Sequence, residues 1–155
     1  MSGILGGAGS KSGIIGETEI DYKTGTWAGD FRFGGASGTI NGQGTGIYTK
    51  IGRQVEIHIA ISVNNNTSGS GQGCITGLPF EHVSGYNSTG NLYTNDWMNA
   101  SPGVVPVVLG GQTYILFYIL PQGTSSALGS WTNSHVHSSQ SGKIIAVTAT
   151  YTATS

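Results

Sequence analysis

The segment RQVEIHIAISV places Val55, Ile57, Ile59, Ile61 and Val63 at every second position. Gln54, Glu56, His58, Ala60 and Ser62 fill the places between them. An extended chain points successive side chains to opposite faces, so this stretch has one apolar and one polar face. A helix, with its period of about 3.6, would scatter the same residues around its circumference. The segment must therefore be a strand that turns one face to a core. The period recurs in TWAGDFRF, where Trp27, Phe31 and Phe33 share a face. Further strands are predicted in GCITGLPF, closed by Pro79, and at 90–93, 104–109, 113–120 and 143–151. GASGTINGQGTG reads as a glycine-rich connection with a short strand at Thr39-Ile40, and NNNTSGSGQG as a loop. No stretch has helical periodicity. These features predict an all-β protein, a β-sandwich or jelly roll. TYILFYIL is apolar on both faces, so it is expected as a central strand or in a subunit interface. Closed association between copies would also protect sheet edges.

Glycine is abundant, at 27 residues, and raises the question of a phosphate-binding loop in GGAGSKS at 6–12. Such a loop needs glycine directly before its lysine, with a helix following, so that backbone N–H groups converge on the anion. Ser10 precedes Lys11, Leu5 holds the earlier glycine position, and GIIGETEIDY has no helical pattern. The dinucleotide pattern fails as well, because Ser12 stands where the third glycine belongs. Charged residues make up 8% of the chain and the net charge is -1. That excludes the basic footprint needed for nucleic acid or an anionic membrane. No apolar run reaches transmembrane length, since VVPVVLGGQTYILFYIL is broken by Pro106 and by Gly110-Gly111. Cys74 is the single cysteine, so neither an intrachain disulfide nor a cysteine-based metal site is available. No basic segment and apolar core of a secretory signal surround Ile4 and Leu5, which predicts a protein made in a cytoplasm.

Residues 1–22 lack alternation and carry Ile4-Leu5 and Ile14-Ile15 between glycines. Glycine allows close backbone approach, and each fully buried aliphatic side chain contributes about 1.5–3 kcal/mol. The expected organisation is an extended N-terminal anchoring arm at 1–22 followed by one β domain at 23–155.

TGTW at 24–27, GIYTKIG at 46–52, the strand RQVEIHIAISV and GLPF at 77–80 together resemble a β-rich module of bacteriophage tail fibres and related virion proteins. IIAVTATYTA is similar to that module's last strand, and GSKSGIIG to its lead-in. The likeness is tight at 24–80 and looser beyond. It implies a homotrimer of jelly-roll-like domains on a virion, bound to other tail or capsid proteins. Longer members of that family carry the module behind a fibre shaft, and the expectation here is a short glycine-rich arm in its place. The expected role is a tail-fibre or adhesin-like tip that contacts the host surface; the alternative is a capsid decoration or head-fibre protein.

Chemistry is sparse. The carboxylates are Glu17, Glu19, Asp21, Asp30, Glu56, Glu81 and Asp96, among which only Glu81 with Asp96 is a candidate hydrolytic pair. No nucleophile elbow occurs, and the chain reads as a non-enzyme with no cofactor. SHVHSS places His135 and His137 two apart on one side of an extended segment. Around a threefold axis they would present six imidazoles to iron or nickel, an arrangement the resemblance implies for some fibre tips. Tyr86, Tyr93, Trp97 and Trp131 lie among Asn, Ser and Thr and are the candidates for contact with a host glycan or protein.

Overall fold

A computed structural model describes residues 21–63, 69–95, 103–121, 128–135 and 142–154. Among the described residues nine strands run in chain order as β1 (Tyr22–Phe33), β2 (Thr39–Ile51), β3 (Gln54–Val63), β4 (Gly73–Thr76), β5 (Ser88–Thr94), β6 (Val104–Val108), β7 (Tyr114–Ile119), β8 (Gly129–Ser130) and β9 (Lys143–Thr152). The described residues have no α-helix, and their helical content is two short 3-10 turns. The sheet order is β4-β1-β2-β3-β9-β5-β6-β7, and β7 pairs back onto β4. Eight antiparallel strands thus close a barrel, with β8 lying against the far end of β7. The all-β expectation holds. The finer expectation of two facing sheets gives way to a single ring, because β4 bridges β1 and β7 and leaves no gap at which the sheet could divide.

β3 follows the alternation read from its sequence, with its five aliphatics buried and its other residues exposed. It pairs along its whole length with β9, from Gln54↔Thr152 to Val63↔Lys143. β7 has a strand on each side, as its two-faced apolar pattern requires; Ile115 and Phe117 point inward and are fully buried.

The largest departure is in β2, which runs unbroken through the glycines expected to form a connection. The cross-strand partners explain it. Gly25 faces Tyr48, Trp27 faces Gly46, Gly29 faces Gly44 and Phe31 faces Gly42. Each of these four pairs therefore carries at most one large side chain. A methyl group on Gly42 would stand 2.7 Å from Ser62 O, and one on Gly44 2.6 Å from Ala60 O. These glycines give up side-chain volume so that two strands can curve tightly around rings contributed by their partners. At Phe31/Arg32 the register shifts, a bulge that takes in Asn41, whose amide donates to Thr39 O at 2.8 Å.

The two ends of the barrel are closed differently. At one end Trp131 packs among Phe31, Phe33 and Phe117, with ring centroids 5.5–6.0 Å away. Its indole lies over Gly73, and its carbonyl accepts from Gly73 N at 2.7 Å. At the other end, segments recognised in the sequence converge. Tyr48 and Lys50 come from GIYTKIG, Phe80 from GLPF and Tyr151 from the last strand. Tyr48 meets Phe80 edge-on at 5.2 Å, Tyr151 donates to Phe80 O at 3.0 Å, and the Lys50 ammonium sits 5.6 Å from the Phe80 ring centre. His82 is buried beside them. Its Nδ1–H donates to Thr152 O at 2.9 Å, and its Nε2 pairs with Ser88 Oγ at 3.0 Å.

Gly46→Ala tests the space-sharing between β1 and β2. The new methyl would overlap Trp27 Nε1 and stand 2.6 Å from His58 O, so a loss of about 1–3 kcal/mol is expected in urea unfolding. Gly129→Ala, whose methyl would find its nearest neighbour at 3.8 Å, should change stability by less than about 0.5 kcal/mol. Equal effects would refute the packing account. Burial also raises the Cys74 thiol to about 12. A thiol-specific disulfide reagent at about pH 8 should leave the native chain unlabelled and label it once unfolded.

Candidate functional site

Barrel closure leaves the outward face of β2, β3, β9 and β5 as a continuous surface. Its rows follow the register: His58 beside Ile47 and Thr148, Thr148 beside Asn91, Glu56 beside Thr150, and Ala146 between Ala60 and Tyr93. Most of these side chains are short or hydroxylated. Two shallow hollows flank the His58–Thr148 row. One, of about 230 Å³, is lined by Glu56, His58, Thr89, Asn91, Thr148 and Thr150, with Gly90 and Ala149. The other, of about 280 Å³, is more apolar and includes Thr45, Ile47, Ala60 and Ala146. His58 Nε2 and Glu56 Oε1 are 3.1 Å apart, joining the only two titratable groups that line either hollow.

Asp21 and Asp30 behave as structural groups. Asp21 Oδ2 meets the nearly buried Lys50 ammonium at 2.8 Å and Lys23 at 3.3 Å. Hydrogen bonds from Lys50, then Lys23, hold the Asp21 carboxyl below the usual carboxylate range. Asp30 accepts from Gln43 at 2.8 Å and from Arg32 at 2.7 Å, and these bonds lower its pKa in the same way. A carboxylate held ionised in this manner is a poor general acid. Asp96, the expected partner of Glu81, lies outside the described residues, as do Glu17 and Glu19.

The sequence candidates separate clearly. Tyr86 and Tyr93 are 71% and 63% exposed, and Tyr93 stands at the margin of the hollows. Trp131, expected in a contact loop, is instead 0% exposed. The reason is the aromatic cluster at the barrel end, which removes more apolar surface from water than any loop position could. Trp97, His137 and the anchoring residues Ile4, Leu5, Ile14 and Ile15 lie outside the described residues. His135 Nδ1 accepts from Thr132 N at 3.1 Å, which leaves one ring nitrogen for any ligand. Among the described residues no three His, Cys, Asp or Glu side chains gather as a metal site would require. The sequence reading placed His58 on the outward face of β3 but missed its hollow, because register with β9 and β5 is a long-range property.

The acid response follows from the two depressed carboxylates. A group with a lowered folded pKa contributes stability above its unfolded value, about 3.9 for Asp, and loses it as pH falls through the folded value. Asp30→Asn removes its share. The urea midpoint of that variant should fall less than wild type between about pH 6 and about pH 3, and parallel curves would refute the assignment.

No family model matches the chain, and no curated protein does. Among solved structures, the crystal structure of the Dettilon tailspike protein is similar, with a TM-score of 0.61 and 22% sequence identity. The match covers 84% of this chain and 24% of the tailspike chain, so the chain spans about a quarter of that protein's length. At this identity the two share a fold, which in the tailspike is one part of a longer polypeptide.

Proposed function

We propose that this chain is a structural protein of a bacteriophage virion, a tail-fibre or adhesin-like lobe that contacts the host surface. The observation that carries the reading is the tailspike likeness over 84% of the chain. The motif resemblance supports it from a separate direction. Three of the segments behind that resemblance supply Tyr48, Lys50, Phe80 and Tyr151, which pack together at one barrel end. On this reading three copies associate, residues 1–22 attach the assembly to other virion proteins, and the exposed outer face is turned to the host. The role is non-catalytic. Three of the four described carboxylates already hold a partner of opposite or potential positive charge.

Antibody raised against the purified chain should decorate the tail end of virions of the encoding phage in electron micrographs. Label spread evenly over the head would overturn the tail reading in favour of decoration. Deleting residues 1–20, which spares Asp21 and its pair with Lys50, should leave a folded barrel that no longer incorporates into particles. Normal incorporation would remove the anchoring role.

A further inference from the structure

We propose that the hollow between β3, β9 and β5 binds a neutral oligosaccharide, with Glu56, His58, Asn91, Thr148 and Thr150 as its hydrogen-bonding groups. The proposal rests on the host-contact reading and gives it a site and a ligand class. β3 and β9, which floor this hollow, have a strand on each side, so neither offers a free edge onto which a peptide could add as a strand. Recognition here must run through side chains.

Those side chains are of one kind. Three threonine hydroxyls, an amide, an imidazole and a carboxylate surround a space of about 230 Å³. At roughly 30 Å³ per water such a space holds about eight waters, which the hydroxyls of a sugar ring would replace one for one. Hydroxyls and amides both donate and accept, as sugar hydroxyls do, and a carboxylate keeps lone pairs to spare after its bond to His58. The lining has no lysine or arginine, and its one carboxylate disfavours an anionic ligand. Tyr93 is on the next outward position after Asn91, beside the small Ala146, so its exposed ring is free to meet an apolar sugar face.

The test uses the full chain and a printed array of neutral oligosaccharides, followed by calorimetry with the strongest binder. Saturable binding is expected. Glu56→Gln and Asn91→Ala should each weaken it about tenfold, the scale of one lost hydrogen bond, while Gln54→Ala at the end of the same face should not. All three positions are exposed, so circular dichroism should show the barrel intact in every variant. No binding anywhere on the array overturns the site, and so does undiminished binding in the Glu56 and Asn91 variants. A fall in sedimentation mass in those variants would make the face a contact between copies and also overturn it. Competition with phage adsorption separates the two levels. If wild type blocks adsorption and the Glu56→Gln/Asn91→Ala double variant blocks equally, host contact stands and this site falls. If wild type fails to block, the host-contact reading itself falls.

Discussion

Room inside the ring is the constraint that the fold obeys. Eight strands enclose an interior just wide enough for side chains to fill it. Between β1 and β2, a second large side chain facing the Tyr48 or Trp27 ring would not fit. β1 and β2 meet this by pairing a ring or aliphatic group on one strand with glycine on the other, as in Gly25–Tyr48, Trp27–Gly46 and Phe31–Gly42. The packing gain outweighs a local polar cost. The Trp27 indole N–H has no hydrogen-bond acceptor among the described residues, a penalty of about 1–3 kcal/mol. Burying an indole recovers that and more, since rings contribute both area and geometry.

The same constraint explains which parts of the fold could be read from the sequence. β3 and β9 were legible because their inward positions are nearly all large and their outward ones, Ile144 apart, small or polar. β2 was not. Gly42, Gly44 and Gly46 remove the apolar signal from its inward positions, and glycine runs ordinarily mark loops. What fills those positions is supplied by β1 and β3, so the strand is visible only in three dimensions. Closure was equally hidden. It depends on β4, four residues long, reaching both β1 and β7, and nothing local in GCIT states that a second partner waits there.

Trp131 and Lys50 are inversions of the usual rule, and both come from the barrel ends. A tryptophan in a polar loop sequence became the plug of one mouth, because the open end of a barrel exposes core rings that need a lid. At the other mouth an inward-facing lysine is 3% exposed, an expensive arrangement without a counter-ion. Asp21 supplies the charge and Phe80 the ring face, so the ammonium loses water only where both replace it. Asp21 also precedes β1 directly, and its carbonyl accepts from Gly52 N at 2.8 Å. The point at which residues 1–20 join the barrel is therefore tied to the β2–β3 turn by both backbone and side chain.

These uses of charge leave the outer face with little. The chain is 8% charged, and its described acids are committed to Lys50, Lys23, Arg32 and His58, apart from Glu81. A surface that cannot attract by net charge has two other routes to affinity: apolar area and directional hydrogen bonds. The outward positions of β2, β3, β9 and β5 offer isolated apolar groups such as Ile47 and Tyr93 among threonines, rather than one continuous apolar patch. That mixture favours a partner that is itself both hydroxylated and apolar in alternate faces. It also keeps non-specific adhesion low, because weak groups act together only when a partner matches their spacing. The rigidity of a closed ring matters here: the β3–β9 and β9–β5 ladders hold Glu56, His58, Thr148 and Asn91 at fixed separations, so a ligand held there would cost little further ordering.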